Sequence, residues 1–197
     1  FNENISGCSE RVVNAVRQLT SADLSRYPNS AEFLAKLSSS LGVKKRRLLL
    51  TNGADDAIRT IMMAYISPGD EVIIPEPTFP LFRQYASVAG ANIVSVPYEK
   101  DFSFPLQMLL SRINPKTKIV VLVNPNNPTG TAIPEAAIIK ILENARNSLV
   151  LIDEAYWEFY GKTALGLLND FPNLAILRTF SKAYGLAGLR LGYVAAN

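Results

Sequence analysis

Histidine is absent from the 197 residues, and cysteine occurs once, at Cys8. Without histidine the chain can hold neither a Ser-His-Asp or Cys-His nucleophile pair nor a zinc centre of Cys and His ligands, and no metal site is expected. A lone cysteine forms no internal disulfide, and no charged segment followed by an apolar core opens the chain, so a reducing, cytoplasmic setting is expected. Long apolar runs are also missing. Those present, such as residues 119–123, fall far short of the roughly 20 residues a membrane-spanning helix needs. Charge of one sign is scarce: 20 Lys+Arg against 17 Asp+Glu leave a net +3, too little and too scattered for a nucleic-acid or membrane surface. The one basic run, Lys44-Lys45-Arg46-Arg47, precedes an apolar stretch and reads as a solvated rim of a sheet.

What is present is enough apolar material, 48% of the residues, to bury the core of one domain, or of one domain and part of another. Seven short apolar runs, at 48–50, 72–74, 93–96, 119–123, 149–152, 174–177 and 191–195, are bounded by turn signals and read as buried strands. Amphipathic helices alternate with them. Ile58, Ile61, Met62 and Tyr65 make one stripe and Ile138, Ile141, Leu142 and Ala145 another. The pattern predicts an α/β fold, a mostly parallel sheet with helices on both faces. Residues 1–28 read as an N-terminal arm or part of a small domain, with a short helical stripe of Val12, Ala15, Val16 and Leu19. Asn29 or Ser30 can cap a helix carrying Leu34, Leu37 and Leu41. Residues 29–197 then form the main domain, which stops just after a buried strand, an unlikely place for a domain to finish.

Four segments fall where strands end, the edge of an open α/β sheet at which ligands collect. Asn52-Gly53-Ala54-Asp55-Asp56 turns into a helix whose free N–H groups and positive dipole end suit a phosphate, although such a segment also reads as a plain helix cap. Asn124-Pro125-Asn126-Asn127-Pro128-Thr129-Gly130 is a stiff loop with three side-chain amides. Asp153-Glu154-Ala155-Tyr156 places a carboxylate at a strand end and a phenol three residues later. Residues 179–190, from Thr179 through Ser181 and Lys182 to Arg190, set hydroxyls, an amine and a guanidinium among small residues. Neither a G-x-G-x-x-G turn nor a Walker loop occurs, because Gly185, Gly188 and Gly192 are wrongly spaced and Tyr156 stands where a first glycine would be needed.

In this order and spacing the motifs resemble the pyridoxal-phosphate enzymes of the aspartate aminotransferase fold, and among them the histidinol-phosphate aminotransferases. The resemblance runs over the whole chain from Asn2-Glu3-Asn4, and over a little more than half of a typical member. It implies the large domain of that fold, pyridoxal 5'-phosphate as cofactor, and transamination of a small amino donor with a 2-oxo acid. Lys182 matches the Schiff-base lysine that also moves the substrate proton, and Asp153 the carboxylate that keeps the pyridine nitrogen protonated. Asn127 and Tyr156 match the pair on the cofactor's phenolic oxygen, and Phe79 the aromatic stacked on its ring. The backbone of Ala54 and Asp55, with Thr179, Ser181 and Arg190, matches the phosphate cup. Tyr27 matches a tyrosine that reaches the neighbouring subunit's phosphate, which implies a homodimer with shared sites. Asn4 matches a substrate-contacting position.

Ile5-Ser6-Gly7 stands where Pro-Tyr-Gly is common, which weakens the substrate assignment. Asp56 stands where Glu is usual, a smaller change that need not affect phosphate binding. Histidinol phosphate with 2-oxoglutarate, in histidine biosynthesis, is the expected pair. A threonine-phosphate decarboxylase or an aromatic or acidic amino-acid aminotransferase remains an alternative, as does a cofactor-binding regulatory module without turnover.

Overall fold

The computed structural model describes residues 2–197. Two short helices, α1 (Glu10–Arg17) and α2 (Ser21–Ser25), precede α3 (Ala31–Leu41). There follow β1 (Leu48–Thr51), α4 (Ala54–Tyr65), β2 (Glu71–Glu76), α5 (Leu81–Val88) and β3 (Asn92–Pro97). Next come α6 (Leu106–Arg112), β4 (Thr117–Val123), α7 (Glu135–Asn144), β5 (Leu149–Asp153) and the single turn α8 (Trp157–Tyr160). The chain then forms β6 (Leu174–Thr179) and β7 (Gly192–Ala196).

All seven apolar runs are strands of one sheet, ordered β1-β7-β6-β5-β4-β2-β3. From β3 to β6 the pairing is parallel, whereas β7 runs antiparallel between β6 and β1. Successive strand residues point to opposite faces, and both faces are covered, which is why the central strands read as unbroken apolar runs. On one face Val120, Leu122, Val150, Ile152 and Ile176 pack under Leu37 of α3, Leu109 of α6 and Ile138, Ile141 and Leu142 of α7. On the other, Ile119, Val121, Leu151 and Leu177 pack under Ile58, Ile61 and Met62 of α4 and Phe82 and Ala86 of α5. Each side chain of this kind that is fully buried contributes about 1.5–3 kcal/mol.

Some expectations need correcting. Tyr65, counted in the α4 stripe, is half exposed at the helix's last residue, and it is the following Ile66 that is buried in the core there. β3 is an edge strand with a single buried residue, Val96. Residues 21–25, within the arm and not singled out from the sequence, form α2 because Thr20 and Asp23 cap each other reciprocally. The stripe of Val12, Ala15, Val16 and Leu19 meets no core: neither α1 nor α2 has a buried residue, Leu19 lies past the end of α1, and Leu37 is the first buried residue among those described. At the start of α3 it is the Asn29 side chain that caps, its Oδ1 accepting the Ala31 N–H at 3.0 Å. Lys45–Arg47 form an exposed 3-10 turn at the sheet rim, as expected.

Candidate active site

β1, β4, β5 and β6 all end at the same edge of the sheet, and the four motifs follow them there. After β1, the Thr51 hydroxyl donates to the Gly53 carbonyl at 2.8 Å and the Asn52 N–H to Asp56 at 3.0 Å, which fixes the turn into α4. Gly53 has φ +84°, and a Cβ there would lie 2.6 Å from the Arg190 guanidinium. Glycine alone therefore lets Arg190 rest against the first turn of α4. A Cβ on Gly192, at the start of β7, would meet the Gly53 carbonyl carbon at 2.7 Å, so the strand entering beneath this turn also has to begin with glycine.

Asn126 ties the loop after β4 to the loop after β2. Its amide donates to the Pro77 carbonyl and to Thr129, each at 2.9 Å, and its oxygen accepts from Thr78 at 2.7 Å. Asn127 and Phe79, the neighbours of these anchors, are left facing a cleft of about 590 Å³. Val123 and Asp153 floor the cleft, and Tyr156, Thr179, Ser181 and Lys182 wall it; Ala54, Asp55 and Arg190 close one end. Thr179 donates to the Ser181 hydroxyl at 2.9 Å. Arg190 holds the Ala187 carbonyl at 3.1 Å and Asp55 at 3.3 Å.

The last residue of β5, Asp153, is buried, and among the described residues its carboxyl accepts one hydrogen bond, from the Ala155 N–H at 2.8 Å. Burial pushes its pKa from 3.8 to about 7; the negative charges of Asp55 and Glu154 add to the rise, and the Ala155 N–H and the Lys182 ammonium oppose it. A dry carboxyl with room beside it is suited to a cationic partner. At the other end, a guanidinium set against the N-terminus of the 12-residue α4 brings two sources of positive potential together, which is suited to a phosphate. The ring and phosphate groups of the implied cofactor thus have a counterpart at each end of the cleft.

Two expected site residues are not in the lining. Tyr27, expected to reach a neighbouring subunit's phosphate, is fully exposed. Asn4, expected at the substrate, is also absent from the cleft lining. Its amide donates to the Lys182 and Ala183 carbonyls, both at 3.2 Å, and its oxygen accepts the Ser6 N–H at 3.0 Å, so its side chain is spent on fixing the backbone around Lys182. Asn2, not singled out from the sequence, accepts the Lys182 Nζ through its carbonyl at 2.8 Å and donates to the Tyr156 hydroxyl at 3.0 Å. A main-chain carbonyl carries no sequence signal. Among the described residues no cluster of three or more His, Cys, Asp or Glu side chains could hold a metal, and no helix is long and apolar enough to cross a membrane.

The Aminotransferase class I and II family model matches residues 1–197. The chain belongs to that family. It is 40% identical to a histidinol-phosphate aminotransferase of Thermoanaerobacter pseudethanolicus, over 100% of this chain and 57% of the relative. It is 41% identical to histidinol-phosphate aminotransferase 1 of Bacillus cereus, over 100% of this chain and 54% of the relative. The crystal structure of histidinol-phosphate aminotransferase from Sinorhizobium meliloti in complex with pyridoxal-5'-phosphate superposes with a TM-score of 0.91 at 30% identity, covering 99% of this chain and 54% of that one. The chain thus spans about half the length of the aminotransferases it matches. The mixed, mostly parallel seven-stranded sheet is the large-domain architecture of this family.

Proposed function

We propose that this chain is the cofactor-binding part of a pyridoxal-phosphate-dependent aminotransferase acting on histidinol phosphate and 2-oxoglutarate in histidine biosynthesis. The observation that carries the reading is that the Lys182 amine, the buried Asp153 carboxyl and the Arg190 guanidinium at the start of α4 face one cleft. The 40% and 41% identities to histidinol-phosphate aminotransferases support the choice of donor. Residues 29–197 make up the large domain, and residues 1–28 an arm or part of a small domain, whose first residues reach the cleft at Asn2 and Glu3.

When bound, pyridoxal phosphate supplies an aldehyde for amino groups and a protonated ring that accepts the electron pair released at the substrate α-carbon. Lys182 would hold it through Nζ and, when its amine is free, would accept the proton from the substrate α-carbon. Asp153 keeps the ring nitrogen protonated from a site that water does not reach. Asn127 and Tyr156 donate to the ring oxygen and stabilise its negative charge, and Phe79 covers one ring face. The N–H groups of Ala54 and Asp55, the hydroxyls of Thr179 and Ser181, and Arg190 hold the phosphate. Nothing in this set requires a metal. We further propose a cytoplasmic homodimer; the exposed Tyr27 and the uncovered stripe of α1 support the dimer, in which Tyr27 would reach the partner's phosphate.

The test is borohydride reduction of the full-length protein with pyridoxal phosphate, then peptide mapping, together with a donor panel of histidinol phosphate, threonine phosphate, aspartate and phenylalanine in which oxo-acid and CO₂ are both followed. A reduced adduct on Lys182 and preferred use of histidinol phosphate without CO₂ are expected. An adduct on another lysine overturns the site, and CO₂ release from threonine phosphate overturns the substrate.

A further inference from the structure

Directly behind the cleft, on the opposite face of the sheet, lies a buried ion pair that the reaction chemistry leaves unused. Arg178 and Glu154 are 1% and 0% exposed. Asp153 and Thr179 are the immediate neighbours of this pair along β5 and β6, and alternation along a strand turns Asp153 and Thr179 to the cleft while Glu154 and Arg178 point away from it. Arg178 donates from Nε at 2.9 Å and Nη2 at 2.7 Å to the same Glu154 oxygen. It also donates from Nη2 to the Thr163 hydroxyl at 2.6 Å and from Nη1 to the Tyr193 hydroxyl at 3.2 Å. Its guanidinium stacks 3.9 Å above the Trp157 ring. Glu154 in turn accepts the Ala164 N–H at 2.7 Å and the Thr163 hydroxyl at 2.8 Å. The half-buried Glu158 sits close enough for the Arg178 charge to oppose the upward pull of burial on its carboxyl.

The pattern of contacts matters more than their number. Burying a charged pair is a poor route to stability, because desolvation offsets most of the attraction. Here one guanidinium reaches four segments: the end of β5 through Glu154, the turn carrying Tyr156 through Trp157, the loop at Thr163, and β7 through Tyr193. Its own strand carries Thr179. Asp153, Tyr156 and Thr179 are each one residue from an anchor in this network, and no apolar side chain of similar size could bond to all of these at once.

We propose that Arg178, paired with Glu154, is a positioning residue that fixes Asp153 and Tyr156 relative to Thr179 across the floor of the cleft. The inference rests on the pyridoxal-phosphate reading above. Its test compares the full-length parent with Arg178→Lys and with the double variant Glu154→Gln/Arg178→Met. Lysine keeps the charge and loses the planar set of donors. The double variant removes both charges while the Gln oxygen still accepts the Ala164 N–H, so it is designed to fold. Three quantities are read: melting temperature without cofactor, Kd for pyridoxal phosphate, and the pH midpoint of the bound cofactor's absorbance change.

Both variants are expected to melt near the parent yet to bind the cofactor about tenfold more weakly, the scale seen when groups behind a site's ligands are lost, and with a displaced midpoint, Arg178→Lys deviating less. Parent-like Kd and midpoint in either folded variant overturn the proposal. Unfolding of both overturns it as well, since the pair would then support the whole domain and not the cleft floor. Failure of the underlying reading is a separate result: the parent itself would then show no cofactor adduct at Lys182.

Discussion

Replacing Asp153 by asparagine in the cofactor-free protein should abolish a large pH effect on stability. The carboxyl is buried and its pKa stands at about 7 in the folded chain against a reference of 3.8. Between those two values the folded state holds a proton that the unfolded state has released. Since unfolding free energy changes with pH in proportion to the protons bound by the unfolded state less those bound by the folded state, stability falls as pH rises from about 4 to 7 and levels off above. At 1.36 kcal/mol per pKa unit the gap corresponds to about 4 kcal/mol, or a drop in melting temperature on the order of 10 °C for a domain of this size. Carboxylates held low by their partners, Asp56 by the Asn52 N–H and Arg59 and Glu76 by Arg83, act oppositely, but their contribution is complete once pH exceeds the ordinary carboxylate range. Asparagine has no proton to release, so thermal melts of cofactor-free parent and Asp153→Asn at pH 5 and pH 8 isolate the effect. The variant should be the more stable at pH 8 by an amount that shrinks towards pH 5. Parallel pH dependences in the two proteins would refute the argument that this carboxyl is dry and unpaired without the cofactor.

Other perturbations follow from the same geometry. Gly53→Ala places a Cβ 2.6 Å from the Arg190 guanidinium at φ +84° and should cost about 1–3 kcal/mol in strain while weakening phosphate binding; an equilibrium titration with pyridoxal phosphate that matches the parent would contradict it. Arg190→Met should lower affinity for pyridoxal phosphate by about 1.5–3 kcal/mol, the value of a hydrogen bond to a charged group, and leave affinity for unphosphorylated pyridoxal nearly unchanged, which fluorescence quenching can compare. Ile141→Ala, fully buried between α7 and the sheet, should cost about 2–5 kcal/mol in urea unfolding with no change in cofactor affinity once folded.

The strands were legible because a two-sided sheet forces apolar residues at successive positions, and the cleft-facing residues because four polar motifs each followed such a run. What the pattern could not carry was direction and neighbour. Nothing in Tyr193, Val194 and Ala195 distinguishes an antiparallel strand from a parallel one, so the insertion of β7 between β6 and β1 became visible only with its partners. α1 shows the converse failure. Its stripe of Val12 and Val16 satisfies the helical period, yet periodicity states only that a face is apolar, not that this chain contains the surface to cover it.

Arg178 was hidden for a related reason. In Leu174-Ala175-Ile176-Leu177-Arg178-Thr179 it reads as the polar residue that ends a strand, and Glu154 likewise follows Asp153 as one more surface acid. Only when Arg178 is found level with Tyr193 on β7 and within 2.7 Å of Glu154 do two apparent end-of-strand charges become a single neutral unit under the cleft. The residues that face the cleft announce themselves because their chemistry is exposed and shared in a recognisable order. Those that hold them in place come as pairs from distant positions, individually ordinary, whose meaning lies in a contact between β5 and β6 that no local pattern encodes. A sequence of this class therefore exposes its chemical groups more readily than the network that sets the distances between them, and the comparison of Arg178→Lys with the double variant measures that second layer.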